Sequence, residues 1–148
     1  MSEIIWKSSQ AIVIDRKRNI YLEDNKKIGR FSLIWWKVEH NKDGDDRKVY
    51  FENAMIREFE EETWIKRSKE SFEHSKKYQE PQEIPEVGIW ESMYYIIILE
   101  TKGETEKILE NKDINKYNLE ELKSMGEDAF SMPKEKFLAE IERALNSL

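Results

Sequence analysis

The chain reads as a single α/β domain. Three observations predict this: apolar strand-like runs in the first third, a helix-forming segment after them, and then a strong strand run followed by two more helical segments. The length of 148 residues suits one domain spanning residues 1–148 and is short for two ordinary ones. That order of elements gives a mixed, layered α/β arrangement.

Gln10–Ile14 (QAIVI) is β-branched, and Asp15–Asn19 is polar. Ile20-Tyr21-Leu22 is apolar again, so two strands joined by a tight turn are predicted. Phe31–Trp36 (FSLIWW) predicts a third strand, and the charged stretch Glu39–Lys48 with Gly44 predicts a loop. Phe51–Ile65 is rich in Glu, Ala, Met and Arg, with Met55, Ile56 and Phe59 as an apolar stripe, so it predicts a helix. Lys66–Glu86, charged and carrying Pro81 and Pro85, predicts irregular chain. Ser92–Glu100 predicts a strand buried on both faces, with Tyr94, Tyr95 and residues 96–99 in the core. Asn118 and Glu121 form a capping-box pattern. Pro133 suits the first turn of a last helix, which carries Phe137, Ile141 and Leu145 on one face.

Composition narrows the function. The chain has 25 Lys and Arg against 31 Asp and Glu, a net charge of −6 and a pI near 5.2, which argues against general nucleic-acid binding. The longest apolar run, Met93–Leu99, is far below the ~20 residues that span a bilayer. The first ten residues lack the apolar stretch of a signal peptide, so a soluble, cytoplasmic protein without a membrane partner is expected. The chain has no cysteine, which removes disulfides, thiolate metal sites and a Cys nucleophile.

Chemistry concentrates in Arg57-Glu58-Phe59-Glu60-Glu61-Glu62. At about 100° per residue, Glu58, Glu61 and Glu62 fall within an arc of roughly 100° on a helix. Three carboxylates so close repel one another, and a hard divalent cation relieves that repulsion. Arg57 lies one turn before Glu61 and can pair with it or orient a neighbouring carboxylate. The competing reading is a solvated acidic face in a chain that is 38% charged. His40 and His74 have no partner pattern and read as surface residues, and Trp6 and Trp90 read as packing rather than a base sandwich. Asp43-Gly44-Asp45-Asp46 reads as a turn, without the ligand alternation of a calcium loop.

Phe31–Glu39 and Asn53–Ile65 together resemble the Nudix hydrolase family, whose signature contains Arg-Glu, an apolar residue, any residue, then Glu-Glu. Arg57, Glu58, Phe59, Glu61, Glu62 and Ile65 match it. The resemblance implies an α/β/α sandwich with a mixed sheet and hydrolysis of the pyrophosphate in a nucleoside diphosphate derivative. It also implies Mg²⁺ or Mn²⁺ as cofactor, with Glu58, Glu61 and Glu62 as ligands. Glu58 is alternatively the base for the attacking water, Arg57 the residue that holds the carboxylates, and Lys37 a phosphate contact. Glu104 and Glu106 are candidates for an added carboxylate from a later loop.

The chain departs from the signature in three ways. Tryptophans 35, 36 and 64 stand at its glycine positions. Twenty residues separate Trp36 from Arg57, against thirteen in the pattern. Val49 and Lys42 occupy the two positions where counting places the earlier signature glutamate, and Asp43, Asp45, Asp46 and Glu52 are its possible substitutes. The chain has five Gly, about half the usual ~7%, and five Trp. Those counts fit a gene that reads UGA as glycine, translated with a table that reads it as tryptophan. Two further readings compete with the hydrolase: a catalytically impaired domain of this fold that binds a nucleotide or protein partner, and an unrelated acidic α/β interaction domain.

Overall fold

The structure is a computed structural model that describes residues 4–26, 29–47, 49–68, 70, 75–84 and 88–148. The observed order is β1 (Ile5–Asp15), β2 (Ile20–Asn25), β3 (Arg30–Ser32), β4 (Ile34–Lys37), α1 (His40–Asp43), α2 (Tyr50–Thr63), β5 (Lys77–Ile84), β6 (Gly88–Leu99), α3 (Lys102–Leu109), β7 (Ile114–Tyr117), α4 (Leu119–Ser124) and α5 (Lys134–Leu145). A 3-10 turn, Glu127–Ala129, precedes α5. This is the mixed α/β architecture that the order of apolar runs predicts. The chain divides into two compact units, Met1–Ala11 with Trp35–Tyr95, and Ile12–Ile34 with Ile96–Leu148. Strands β1 and β6 contribute residues to both.

In the first unit β6 neighbours β1, and β4 also pairs with β1. The chain leaving β4 stays on that edge, where the Val38 amide donates to the Lys7 carbonyl at 2.9 Å. Strand β5 pairs antiparallel with β6, with Tyr78 opposite Met93 and Gln79 opposite Ser92. The register shifts between Gln79 and Gln82. Pro81 lies inside that shift, on the last strand of the order, where a residue without an N–H is tolerated. Helix α2 buries Tyr50, Phe51, Ala54, Met55, Phe59 and Thr63. Tyr94 and Tyr95 are buried in the core, as predicted.

In the second unit Val13 and Ile14 of β1 face Tyr21 and Ile20 of β2, antiparallel, across the predicted tight turn. Strand β2 also pairs antiparallel with β3 and β7, and a parallel bridge joins Phe31 to Phe130. Asn118 and Glu121 make the reciprocal capping box of α4. Phe137, Ile141 and Leu145 are buried on α5, and Phe137 stacks on Phe130 with ring centroids 4.5 Å apart.

Three expectations are corrected. The apolar run Phe31–Trp36 is interrupted at Leu33 and forms two short strands instead of one. The charged segment Glu39–Lys48 contains the short helix α1, because the Asp43 carboxylate accepts the Glu39 amide at 2.8 Å and closes a single turn. Lys66–Glu86 contains strand β5, whose polar sequence is compatible with an edge position. Within that segment Pro85 and His74 lie outside the described residues.

The β1–β2 turn depends on Asp15, which is 6% exposed. Its carboxylate accepts the Lys17 amide at 2.9 Å, the Asn19 amide at 3.0 Å, the Asn19 side chain at 3.0 Å and the Tyr21 hydroxyl at 2.8 Å. Burial alone would raise its proton affinity, but these four donors together outweigh burial and hold the carboxyl below its ordinary value. A lowered acid adds stability that is fully present above the unfolded value near 3.8 and is lost as pH falls through the lower folded value. Asp15→Asn is expected to cost about 1–2 kcal/mol at neutral pH. Urea unfolding at several pH values checks this: the gap between wild type and variant should shrink below pH 4, and a constant gap would contradict it.

Candidate metal and phosphate site

Helix α2 positions the acidic turn. Its apolar stripe anchors Met55 and Phe59, both fully buried, and the residues between them turn outward. Ile56 is only half-buried, so the stripe is carried by Met55 and Phe59. Arg57 projects from the rim with its side chain 19% exposed.

The Arg57 guanidinium is the hub. Its Nε donates to Asp43 Oδ1 at 2.9 Å and one Nη to Asp43 Oδ2 at 3.1 Å, a bidentate pair with a carboxylate that is 1% exposed. The other Nη donates to Glu58 Oε1 at 2.7 Å and lies 3.6 Å from Glu61 Oε2. Glu39 Oε2 is 3.4 Å from the guanidinium and 3.4 Å from Lys42 Nζ. The hydrogen bonds that Arg57 donates to Asp43, and then the one to Glu58, raise its pKa against the opposing effect of burial, so its charge is permanent. One guanidinium therefore faces four carboxylates.

Among the loop candidates, Asp43 pairs with Arg57. Asp43 ends α1, receives the Glu39 amide, and has its own carbonyl held by the Asn53 side chain at 2.9 Å. No periodicity in the sequence marks it, because the seven added loop residues hide the spacing. Glu52 instead lies buried, 3.6 Å from Lys76.

Glu61 is open to solvent, Glu58 is mostly covered, and Glu62 is exposed along its length but crowded by protein around its carboxylate. Glu62 accepts a hydrogen bond from Trp36. Desolvation raises its proton affinity, the charges of Glu58 and Glu61 raise it further, and the Trp36 bond offsets part of this. The donor set is all oxygen and carries excess negative charge, which fits a hard divalent cation. In their present rotamers, however, no group of three acidic or histidine side chains stands at metal-binding spacing among the described residues. The surplus of carboxylates over the one guanidinium is the observation that supports the fit.

The three tryptophans diverge. Trp36 is buried, packs edge-on to Phe59 at 6.1 Å and faces α2. Trp35 points the other way, as alternation in β4 requires, and meets Trp90 edge-on at 5.5 Å. Trp90 and Trp6 are stacked with centroids 6.2 Å apart, too close for an intervening base. Lys37 Nζ sits 3.9 Å above the Trp6 ring, so its ammonium is engaged by an aromatic face. Trp64 ends α2 in the left-handed conformation, φ 63° and ψ 14°, with its amide bonded to the Glu60 carbonyl at 2.8 Å and its side chain 76% exposed.

The remaining candidates have local roles. Glu104 and Glu106 lie on α3 rather than in a loop. Glu104 accepts the Glu100 amide at 2.8 Å, and Glu106 lies 3.8 Å from Lys102. His40 is partly exposed, with Nδ1 2.9 Å from the Gly44 carbonyl oxygen and its ring edge-on to Tyr50 at 5.2 Å. No described helix is long and apolar enough to cross a membrane.

No family model matches the chain, and no curated protein matches it. Solved structures do. A MutT/Nudix family protein from Listeria innocua matches with a TM-score of 0.65 at 17% identity, over 96% of this chain and 94% of that one. The C. elegans Ap4A hydrolase matches with a TM-score of 0.62 at 14% identity, over 97% and 99%. Shewanella oneidensis NrtR, crystallised with a 27mer DNA, matches with a TM-score of 0.67 at 12% identity, over 95% of this chain and 62% of that one. The fold is therefore that of the Nudix and MutT proteins, as the motif resemblance implied. An unrelated fold is thereby corrected.

Trp64 yields a test. The left-handed conformation costs a residue with a Cβ roughly 1–2 kcal/mol, and an indole this exposed recovers little by packing. Trp64→Gly is expected to raise thermal stability, by roughly 2–4 °C per kcal/mol gained. A fall in Tm would contradict the assignment of strain. If glycine recoding is the cause, the gene carries UGA at codon 64, and an ordinary UGG codon there removes that explanation.

Proposed function

We propose that this chain is a divalent-metal-dependent hydrolase that cleaves the pyrophosphate of a nucleoside diphosphate derivative. The observation that carries the reading is the Arg57-centred acidic turn, present on a fold shared with Nudix and MutT proteins. Glu58, Glu61 and Glu62 would hold Mg²⁺ or Mn²⁺, and the cation supplies charge neutralisation at the phosphate oxygens.

The chain's own residues do the rest. Arg57 fixes Glu58 through Oε1, which leaves Oε2 available either to the cation or as base toward the attacking water. Asp43, almost wholly buried, holds Arg57 from the opposite side and keeps the guanidinium from moving toward the phosphates. Trp36 holds Glu62 against the helix. Lys37 leaves the Trp6 ring if it is to touch a phosphate. The partner is a small molecule rather than nucleic acid, in keeping with the acidic net charge of −6.

A second reading has its own support. Trp35 and Trp36 occupy glycine positions of the signature, and the three glutamates are not gathered at ligating spacing. A domain that binds a nucleotide without turning it over fits those facts.

A panel of Ap4A, an ADP-sugar and a nucleoside triphosphate, assayed for phosphate-ester products with and without Mg²⁺ or Mn²⁺, separates the two. Metal-dependent turnover is expected, with Glu61→Gln and Glu58→Gln each lowering kcat by about 100-fold or more. Nucleotide-induced stabilisation without turnover would favour the binding domain and overturn the hydrolase.

A further inference from the structure

A second buried carboxylate in the first unit is not used by the acidic turn. Glu91 of β6 is 4% exposed. It accepts the Arg47 guanidinium at 2.7 Å, the Tyr78 hydroxyl, and the Tyr50 hydroxyl at 3.5 Å. Arg47 also bonds the Tyr78 hydroxyl at 2.8 Å and lies over that ring at 5.5 Å. Arg47 itself is 66% exposed, so a charge placed at high desolvation cost meets its cation at the surface.

Such an arrangement is expensive as a stability device, because the carboxylate is taken out of water and removing Arg47 would leave it poorly compensated. Its position in the chain suggests what it does. Arg47 lies in the connection between α1 and α2, and Tyr50 opens α2. The near end of the same connection is Asp43, followed by Gly44 at φ 88°, and Asp43 is the residue that grips Arg57. Glu91 makes no bond to Arg57 or to its carboxylates. It reaches them through the loop and through Tyr50, the first residue of α2.

We infer that Glu91 is a positioning residue: through Arg47 and Tyr50 it ties the α1–α2 loop to β6, and so sets the placement of Asp43 against Arg57. Loops are the low-stability parts of a fold, and a two-point tie to a central strand removes the motions that would let Asp43 withdraw. Glu58 depends on the same guanidinium, so its orientation follows from the tie.

The test reads Arg57 directly and needs neither metal nor turnover. Hydrogen exchange of the Arg57 Nε–H, followed by ¹⁵N NMR, reports the Asp43 bond. Glu91→Gln is expected to speed that exchange about tenfold while the Phe59 backbone amide, two residues along the same helix, is unchanged. Arg47→Gln changes an exposed residue, keeps the fold if Glu91→Gln does not, and is expected to act in the same direction. Unchanged exchange at Arg57, or acceleration only in step with Phe59, overturns the inference. Its kinetic arm alone rests on the proposed hydrolase: kcat should fall with KM unchanged. A wild-type protein without turnover sinks the hydrolase reading but leaves the exchange result to decide this one.

Discussion

The site is organised by one positive charge shared among several negative ones. Arg57 is charged at every accessible pH, its fork is planar, and its two faces of donors meet Asp43 on one side and Glu58 on the other. The pairing with Asp43 is nearly dry, and there a bidentate ion pair is strong and geometrically exact in its demands. The pairing with Glu58 and the approach of Glu61 are wetter and looser. This gradient gives the turn a firmly held back and a more open front, which suits the proposed cation site.

The same turn is under strain at its end. An α-helix closing on glycine reverses at no steric cost, while Trp64 reverses against its own Cβ. Trp36 compensates in part, since it fills space beside Phe59 and anchors Glu62. The two tryptophans therefore have opposite standing in the fold: Trp36 is packed and bonded, and Trp64 is exposed and strained. A shared origin in a reassigned codon would explain why such different environments carry the same residue.

Much of the fold was legible because it rests on periodicity. The β1–β2 turn, α2, β6, the capping box of α4 and the buried face of α5 all follow from apolar spacing or cap chemistry. Strand β5 was missed because its polar residues and Pro81 carry no strand signal. It is held by antiparallel pairing with β6 that only the three-dimensional arrangement supplies. The site was half legible. Arg57, Glu58, Glu61 and Glu62 sit in one contiguous turn that a helical repeat exposes. Asp43 and Glu91 come from elsewhere in the chain, and no local pattern distinguishes them from the many other acidic residues of this sequence.

The proposed function requires that the surplus of negative charge around Arg57 take up a divalent cation. Titration of the protein with Mn²⁺, followed by water-proton relaxation, measures this without any assumption about substrate. Saturable binding of one ion, lost in Glu61→Gln and weakened in Arg57→Ala, is expected. Wild-type protein that takes up no Mn²⁺, or takes it up equally well without Glu61, would contradict it.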